Sequence, residues 1–143
     1  MVSLHEIEQN EDQGGLMEKK ILFVDDEKPI LKILETLFRA GGYTPRCVAD
    51  AEEALVVLKD ENIKVCFVDI HMPVMSGLEL CRRIKEVHPD AQVYALSAFP
   101  GVMNDAEYKN SGFNGYLRKP FNIDQLMDVG RVAFESIPDL AGA

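Results

Sequence analysis

Features of several protein classes are absent from this sequence. The three cysteines, Cys47, Cys66 and Cys81, are odd in number and none forms a CxxC pair, so the sequence indicates neither a disulfide framework nor a zinc site. No window contains the roughly 18 consecutive apolar residues that a membrane helix needs. The first residues lack the basic start and apolar run of a signal peptide. We therefore expect a soluble cytoplasmic protein with no membrane association, whose cysteines are small hydrophobic residues in a reducing compartment.

Basic residues are also in short supply, with 15 lysines and arginines against 24 aspartates and glutamates, and the formal net charge is -9. Such a surface repels a phosphate backbone, and direct nucleic-acid binding by this segment is therefore not expected. Apolar residues, by contrast, make up 47% of the 143 positions. That content is enough for one folded domain with its own core.

Short apolar runs alternate with segments of helical periodicity. The runs ILFV at 21–24 and VCFV at 65–68 are typical of strands buried on both faces. Further strands are predicted at 43–48, 92–96 and 116–117, and a weak helix is predicted around 104–110. The helix boundaries are marked by Pro29 in a first turn, Gly41-Gly42 at an end, Pro138 after the last helix, and capping boxes at Asp50/Glu53, Ser76/Glu79 and Asn122/Gln125.

Five such strand–helix units predict an α/β fold, a (βα)5 doubly wound three-layer sandwich around a parallel sheet. Pro45 places the second strand at a sheet edge, because proline cannot donate to the ladder, and the strand order is then 2-1-3-4-5, as in flavodoxin. A fragment of a (β/α)8 barrel is the alternative, but five units close no barrel. We interpret residues 1–18 as a flexible acidic leader, 19–137 as the domain, and 138–143 as a tail or the start of a linker.

Polar residues stand at the predicted carboxyl ends of four strands. Asp25 and Asp26 follow the first strand, Asp69 ends the third, Ser97 ends the fourth, and Lys119 follows the fifth. In open parallel sheets ligands bind at this edge, next to the point where the strand order reverses. The three aspartates are therefore expected to lie together. Glu27, the next acidic residue, is assigned only to the amino end of the following helix.

Three carboxylates in one crevice repel each other, so either a cation binds or some carboxyl groups keep their protons above their usual pKa. An all-oxygen site of this kind suits Mg2+. Lys119 then suits a phosphoryl oxygen, the Ser97 hydroxyl can donate to another, and a carboxylate can be the phosphoryl-accepting nucleophile. Taken singly, each of these residues is explained as well by a helix terminus, a turn or the surface. Four coincidences at four strand ends are much harder to explain in that way.

The segments ILFVDDE, VDIHMPVMSGLEL, ALSAF and GYLRKPF resemble, in order and spacing, the receiver domains of response regulators in two-component signalling. The resemblance covers roughly residues 19–137. It implies that Asp69 is the phosphoacceptor, that Asp26, Asp69 and the backbone carbonyl of His71 bind Mg2+, with Mn2+ as a substitute, and that Asp25 acts through water. It further implies that Lys119 contacts the phosphoryl group, with Pro120 in a cis bond.

The resemblance also implies a conformational switch, in which Ser97 turns toward the phosphoryl group and Tyr116 follows inward. Phe99 and His71 occupy positions that vary in the family. We hypothesise that Phe99 shields the acyl phosphate from water. His71 either orients a water molecule or is an exposed loop residue. Three further residues, Pro100, Gly101 and Phe113, depart from the family pattern around the fourth helix and fifth strand, which form the family's common signalling face.

The implied function is therefore that of a phosphoacceptor switch, and not of an enzyme. Its implied partners are a sensor histidine kinase or a histidine phosphotransfer protein upstream, and an effector protein or a C-terminal output domain downstream. Dimerisation on phosphorylation is left open. Two other classes stay as alternatives. A Mg2+-dependent phosphohydrolase would carry a second carboxylate two residues after Asp69, where His71 stands. An interaction module that has lost phosphorylation would not need the acidic pair, the acceptor and the lysine.

Overall fold

The computed structural model describes residues 18–98 and 105–137. Most of the predicted leader, the segment from Phe99 to Gly101 and the predicted tail with Pro138 lie outside these ranges. Within them, strands and helices alternate in the order β1 Lys20–Val24, α1 Lys28–Ala40, β2 Thr44–Val48, α2 Ala51–Asp60, β3 Val65–Asp69, α3 Gly77–Val87, β4 Gln92–Ser97, α4 Asp105–Asn110, β5 Gly115–Arg118 and α5 Ile123–Glu135.

The strands form one parallel sheet in the order β2-β1-β3-β4-β5. This confirms the predicted 2-1-3-4-5 arrangement. The sheet is open, with β2 and β5 at its edges, so the barrel alternative is wrong. Pro45 lies on β2 opposite Ile21 of β1. An edge position tolerates proline because one side of the strand has no neighbour that requires its missing N–H donor.

Alternate residues of the central strands point into two separate hydrophobic cores. Leu22 and Cys66 point into the core that contains residues of α2 and α3, whereas Phe23 and Phe67 point into the core that contains residues of α1 and α5. All four side chains are fully buried. Because both faces of the sheet are covered, the strand sequences are continuous apolar runs and not alternations of apolar and polar residues. Each such side chain stabilises the fold by about 1.5–3 kcal/mol.

The helix ends follow from local sequence. The side chains of Asp50, Ser76 and Asn122 each accept a hydrogen bond from the backbone N–H three residues later, as the capping boxes predict. The helix α5 ends at Glu135, before Pro138 is reached. Among the described residues, no helix has both the length and the apolar character needed to cross a bilayer.

Candidate functional site

The turn after β1 places two neighbouring aspartates in different environments. The Asp25 backbone N–H donates to the carbonyl oxygen of Val48 at 3.2 Å, which ties the turn to the end of β2. Asp25 is fully buried, and its Oδ1 accepts from the backbone N–H of Glu27 at 2.9 Å. Asp26 is exposed to solvent. The Asp25 carboxylate is thus held in the buried part of the site, and the Asp26 carboxylate lies at its solvent-exposed side.

Asp69 is the last residue of β3 and is 5% exposed. Its Oδ1 accepts from the backbone N–H of His71 at 3.1 Å, and His71 itself is exposed. The backbone after Asp69 returns closely to the start of α3, where the N–H of Gly77 donates to the carbonyl oxygen of Ile70 at 3.0 Å. A Cβ atom on Gly77 would lie 2.5 Å from the carbonyl oxygen of Asp69, so this close approach requires glycine.

Lys119 enters the site from beyond the end of β5. Its backbone N–H donates to the carbonyl oxygen of Ser97 at 2.8 Å, and the peptide bond to Pro120 is cis, as the resemblance implies. The ammonium Nζ lies 2.5 Å from Oδ2 of Asp25 and 3.6 Å from Oδ2 of Asp69. It also lies 3.1 Å from Oε1 of Glu27. The lysine side chain is only 10% exposed, so these ion pairs are weakly screened.

Asp25, Asp26 and Asp69 each present one carboxylate oxygen, and these atoms all lie within 4.8 Å of one another. Mg2+ sites need hard oxygen donors with room for water, which this partly exposed carboxylate set supplies. The residues therefore fit the divalent cation that the sequence predicts.

Burial controls the protonation of the acceptor. The pKa of Asp69 is raised to about 6, chiefly by desolvation on burial; the Lys119 ammonium partly opposes this rise, and the neighbouring Asp25 charge adds to it. Burial acts to lower the pKa of Lys119, but its hydrogen bonds to Asp25 and Glu27 outweigh burial and the net pKa is raised. Lys119 is therefore a permanent cation at neutral pH, and Asp69 is mostly an anion there.

Ser97 and Tyr116 occupy different places relative to this cluster. Ser97 is the last residue of β4 and is buried, one residue beyond Leu96, which pairs with Asp69 in the sheet. Tyr116 is 38% exposed on the edge strand β5, where its ring stacks on Tyr108 of α4 with centroids 4.2 Å apart. In this structure Tyr116 thus faces outward.

Phe113 continues this row of aromatic rings into the protein interior. Its ring is 3% exposed and meets Tyr108 edge-on with centroids 6.1 Å apart. Tyr108 is itself buried and lies between Phe113 and the exposed Tyr116. We name these three rings, Tyr108, Phe113 and Tyr116, the α4–β5 aromatic cluster.

The structure brings together Asp25, Asp26, Asp69 and Lys119, while it leaves His71 exposed and Tyr116 outside the cluster. The individual roles of these residues stay predictions. Sequence reasoning missed Glu27 and Gly77. Glu27 caps α1 through its backbone alone, and its carboxylate pairs with Lys119, so the assignment of Glu27 to a helix-end role is incomplete. A glycine at the first position of α3, where most residues are better helix formers, was the available signal for Gly77.

Comparison with known proteins gives consistent matches. The family model described as "Response regulator receiver domain" matches residues 21–131. The response regulator MprA of Mycobacterium ulcerans is 30% identical over 111 residues, which cover 78% of this chain and 48% of that protein. The chain thus spans about half the length of this curated relative.

Solved structures agree. The receiver domain of the Francisella response regulator 1452 is 31% identical, with a TM-score of 0.75 over 81% of this chain and 96% of that one. NtrX of Brucella abortus is 30% identical, with a TM-score of 0.78 over 84% of this chain and 28% of that one. With the family model matching most of the chain, and with the predicted sheet order and acidic crevice both present, this chain belongs to the response-regulator receiver domains of two-component signalling, a family of signalling domains.

Proposed function

We propose that this chain accepts a phosphoryl group on Asp69 from a sensor histidine kinase or a histidine phosphotransfer protein, and that it changes conformation in response. The observation that carries the proposal is a buried carboxylate at a strand end, with the Lys119 ammonium 3.6 Å away and two further aspartates beside it. The working unit is residues 19–137, acting in the cytoplasm.

In the transfer step, an oxygen of the ionised Asp69 carboxylate forms a bond to phosphorus, and the bond from phosphorus to the donor nitrogen or oxygen breaks. The leaving group takes up a proton. Lys119 stabilises charge on the phosphoryl oxygens, and the Ser97 hydroxyl donates to one of them after transfer. In the metal-free protein, where the pKa of Asp69 is about 6, the nucleophilic ionised form declines as the pH falls through this value.

The proposed ligands for the divalent cation are Asp26, Asp69 and the backbone carbonyl of His71, with Asp25 acting through water. When bound, Mg2+, or Mn2+ in its place, supplies positive charge that offsets the carboxylates and the phosphoryl oxygens. The buried Asp25 also keeps Lys119 in place, since the two are joined by a hydrogen bond of 2.5 Å.

The downstream partner is proposed to be an effector protein or an output domain in the same polypeptide. Among the relatives, MprA and NtrX are both longer than the matched region. Inward movement of Tyr116 would remove its ring from Tyr108 and alter the α4–β5 aromatic cluster, which then reports the phosphorylated state. The net charge of -9 argues against nucleic acid as a direct ligand of this segment.

The test is covalent labelling by acetyl phosphate with Mg2+, measured by intact-protein mass. Asp69→Asn should abolish the added phosphoryl mass. Asp90→Asn is the matched control, because Asp90 is a carboxylate whose ion pair is with Lys64 instead of Lys119, and it should label normally. Undiminished labelling of Asp69→Asn would contradict the proposal, and sustained multiple turnover of an organic phosphate would favour a phosphohydrolase.

A further inference from the structure

The Lys119 ammonium lies close to three carboxylates, at unequal distances. It donates hydrogen bonds to Oδ2 of Asp25 at 2.5 Å and to Oε1 of Glu27 at 3.1 Å. Oδ2 of Asp69 lies at 3.6 Å, beyond a hydrogen bond. An ammonium group has three N–H donors, so two are engaged by residues other than the proposed acceptor.

The two engaged carboxylates differ in how easily they can release the ammonium. Asp25 is fully buried, and an unpaired charge there would be strongly destabilising. The Glu27 side chain is 57% exposed, so water can replace the ammonium as its partner at little cost. Glu27 is therefore the contact that can be exchanged.

The backbone of Glu27 is fixed independently of its side chain. Its N–H donates to Oδ1 of Asp25 at 2.9 Å, and its carbonyl oxygen accepts from the N–H groups of Ile30 and Leu31 in the first turn of α1. Release of Lys119 consequently needs only a rotation of the Glu27 side chain. The turn that holds Asp25 does not have to move.

We propose that the Glu27 carboxylate is an internal competitor of the phosphoryl group for Lys119. This inference rests on the proposed phosphorylation of Asp69. In the unphosphorylated protein Glu27 occupies one donor of the ammonium. When a phosphoryl group is on Asp69, one of its anionic oxygens takes the third donor of Lys119 and another displaces Glu27 from the second, while Asp25 keeps its hydrogen bond. Glu27 is a positioning residue that lowers the affinity of the site for a phosphoryl group.

Glu27→Gln removes the competing anion and keeps the size of the side chain. The variant should bind beryllofluoride, a phosphoryl mimic, more tightly by roughly two- to fivefold, the range expected when a partly exposed ion pair is lost. It should also be labelled by acetyl phosphate faster by a similar factor. Both measurements use the full chain with saturating Mg2+.

Removal of a negative charge also reduces general repulsion of anions, and a matched control separates the two effects. Glu53 lies in the first turn of α2, and its Oε1 contacts the backbone N–H of Ala49, which follows β2. It thus stands at the same edge of the sheet, but its contact is not with Lys119. Glu53→Gln removes the same charge and keeps the capping-box pattern. Glu27→Asp keeps the charge but withdraws the carboxylate by one methylene group.

The proposal predicts that Glu27→Gln exceeds Glu53→Gln in beryllofluoride affinity, that Glu27→Asp lies between wild type and Glu27→Gln, and that the difference persists when salt screens the general field. Equal effects of the two glutamine variants, or no gain in Glu27→Gln, would overturn it. If Asp69→Asn is still labelled, the phosphorylation proposal itself fails, whereas a failure of the Glu27 comparison with normal labelling at Asp69 removes only this inference.

Discussion

The acidic crevice, formed by Asp25, Asp26, Asp69 and Lys119, and the α4–β5 aromatic cluster adjoin the same sheet but are built in opposite ways. In the crevice, Asp25 and Asp69 stand directly at the ends of central strands, and backbone hydrogen bonds orient both carboxylates. In the aromatic cluster, Tyr116 lies on the edge strand β5 and stacks on the short helix α4.

The acidic crevice therefore holds its charged groups in fixed positions, whereas the α4–β5 aromatic cluster can change its arrangement. Moving a charge in the crevice leaves another buried charge unpaired, which is costly. Separating two stacked rings, one already partly in water, costs about 0.5–1.5 kcal/mol beyond burial. We therefore expect variants of the crevice to have large electrostatic effects, and variants of the aromatic cluster to have effects that follow buried area and spare the chemistry.

Loss of the central cation should be the most damaging change. Lys119→Met leaves Asp25 and Asp69 without their ammonium partner, and in metal-free buffer near neutral pH the free energy of unfolding should fall by about 3–5 kcal/mol. Chemical denaturation monitored by circular dichroism measures this. Arg82→Met is the control, because Arg82 pairs with Glu79 and Glu86 on the exposed surface of α3, and it should cost well under about 1 kcal/mol. Equal losses in the two variants would contradict the buried-cluster interpretation.

Truncating a side chain inside the aromatic cluster should lower the free energy of unfolding by nearly as much, but it should leave the rate of labelling unchanged. Phe113→Ala removes a ring that is 3% exposed, and a loss of about 3 kcal/mol is expected from burial and the residual cavity. At a temperature where the variant is folded, its labelling rate by acetyl phosphate should equal that of the wild type. A labelling rate that falls several-fold in the folded variant would show that the two regions are not separable.

The acceptor itself should respond to pH in a defined direction. Burial raises the pKa of Asp69 from 3.8 to about 6, so the folded state binds its proton more tightly than the unfolded state. The contribution of Asp69 to the stability of the metal-free wild type therefore falls as the pH rises through this window. Asp69→Asn does not titrate, and it should be more stable than the wild type by about 1–3 kcal/mol at neutral pH.

The same gain should vanish below pH 3.8, where Asp69 is protonated in both the folded and the unfolded state. Denaturation curves at several pH values with a chelator present measure the difference. A constant difference at every pH would mean that burial of charge is not its cause.

The smallest effect concerns the stack of Tyr108 on Tyr116. A double-mutant cycle with Tyr108→Leu and Tyr116→Leu should give a coupling energy of about 0.5–1.5 kcal/mol in the unphosphorylated protein. In the presence of beryllofluoride the coupling should disappear, because Tyr116 is proposed to leave Tyr108 in that state. An unchanged coupling would argue against inward movement of Tyr116.

The sequence predicted much of this because its signals are local. Continuous apolar runs predicted the buried strands, and the polar residues directly after them predicted the crevice. The ion pair of Glu27 was not predicted, because its partner Lys119 lies 92 residues away in the chain. A glycine at the start of α3 was a local signal, but its reason, the close return of the backbone to Asp69, appears only in the tertiary structure. The outward position of Tyr116 likewise depends on Tyr108, a neighbour supplied by another element.

By itself, the sequence determined which residues form strands and helices, the edge position of Pro45, and the presence of acidic and basic groups at strand ends. These follow from side-chain periodicity and backbone chemistry within a few residues. Only the tertiary structure decided how the Lys119 ammonium is shared among Asp25, Glu27 and Asp69, and which of the three can release it. That choice depends on distances of a few ångströms and on relative burial, and both arise only when separate strands are brought side by side.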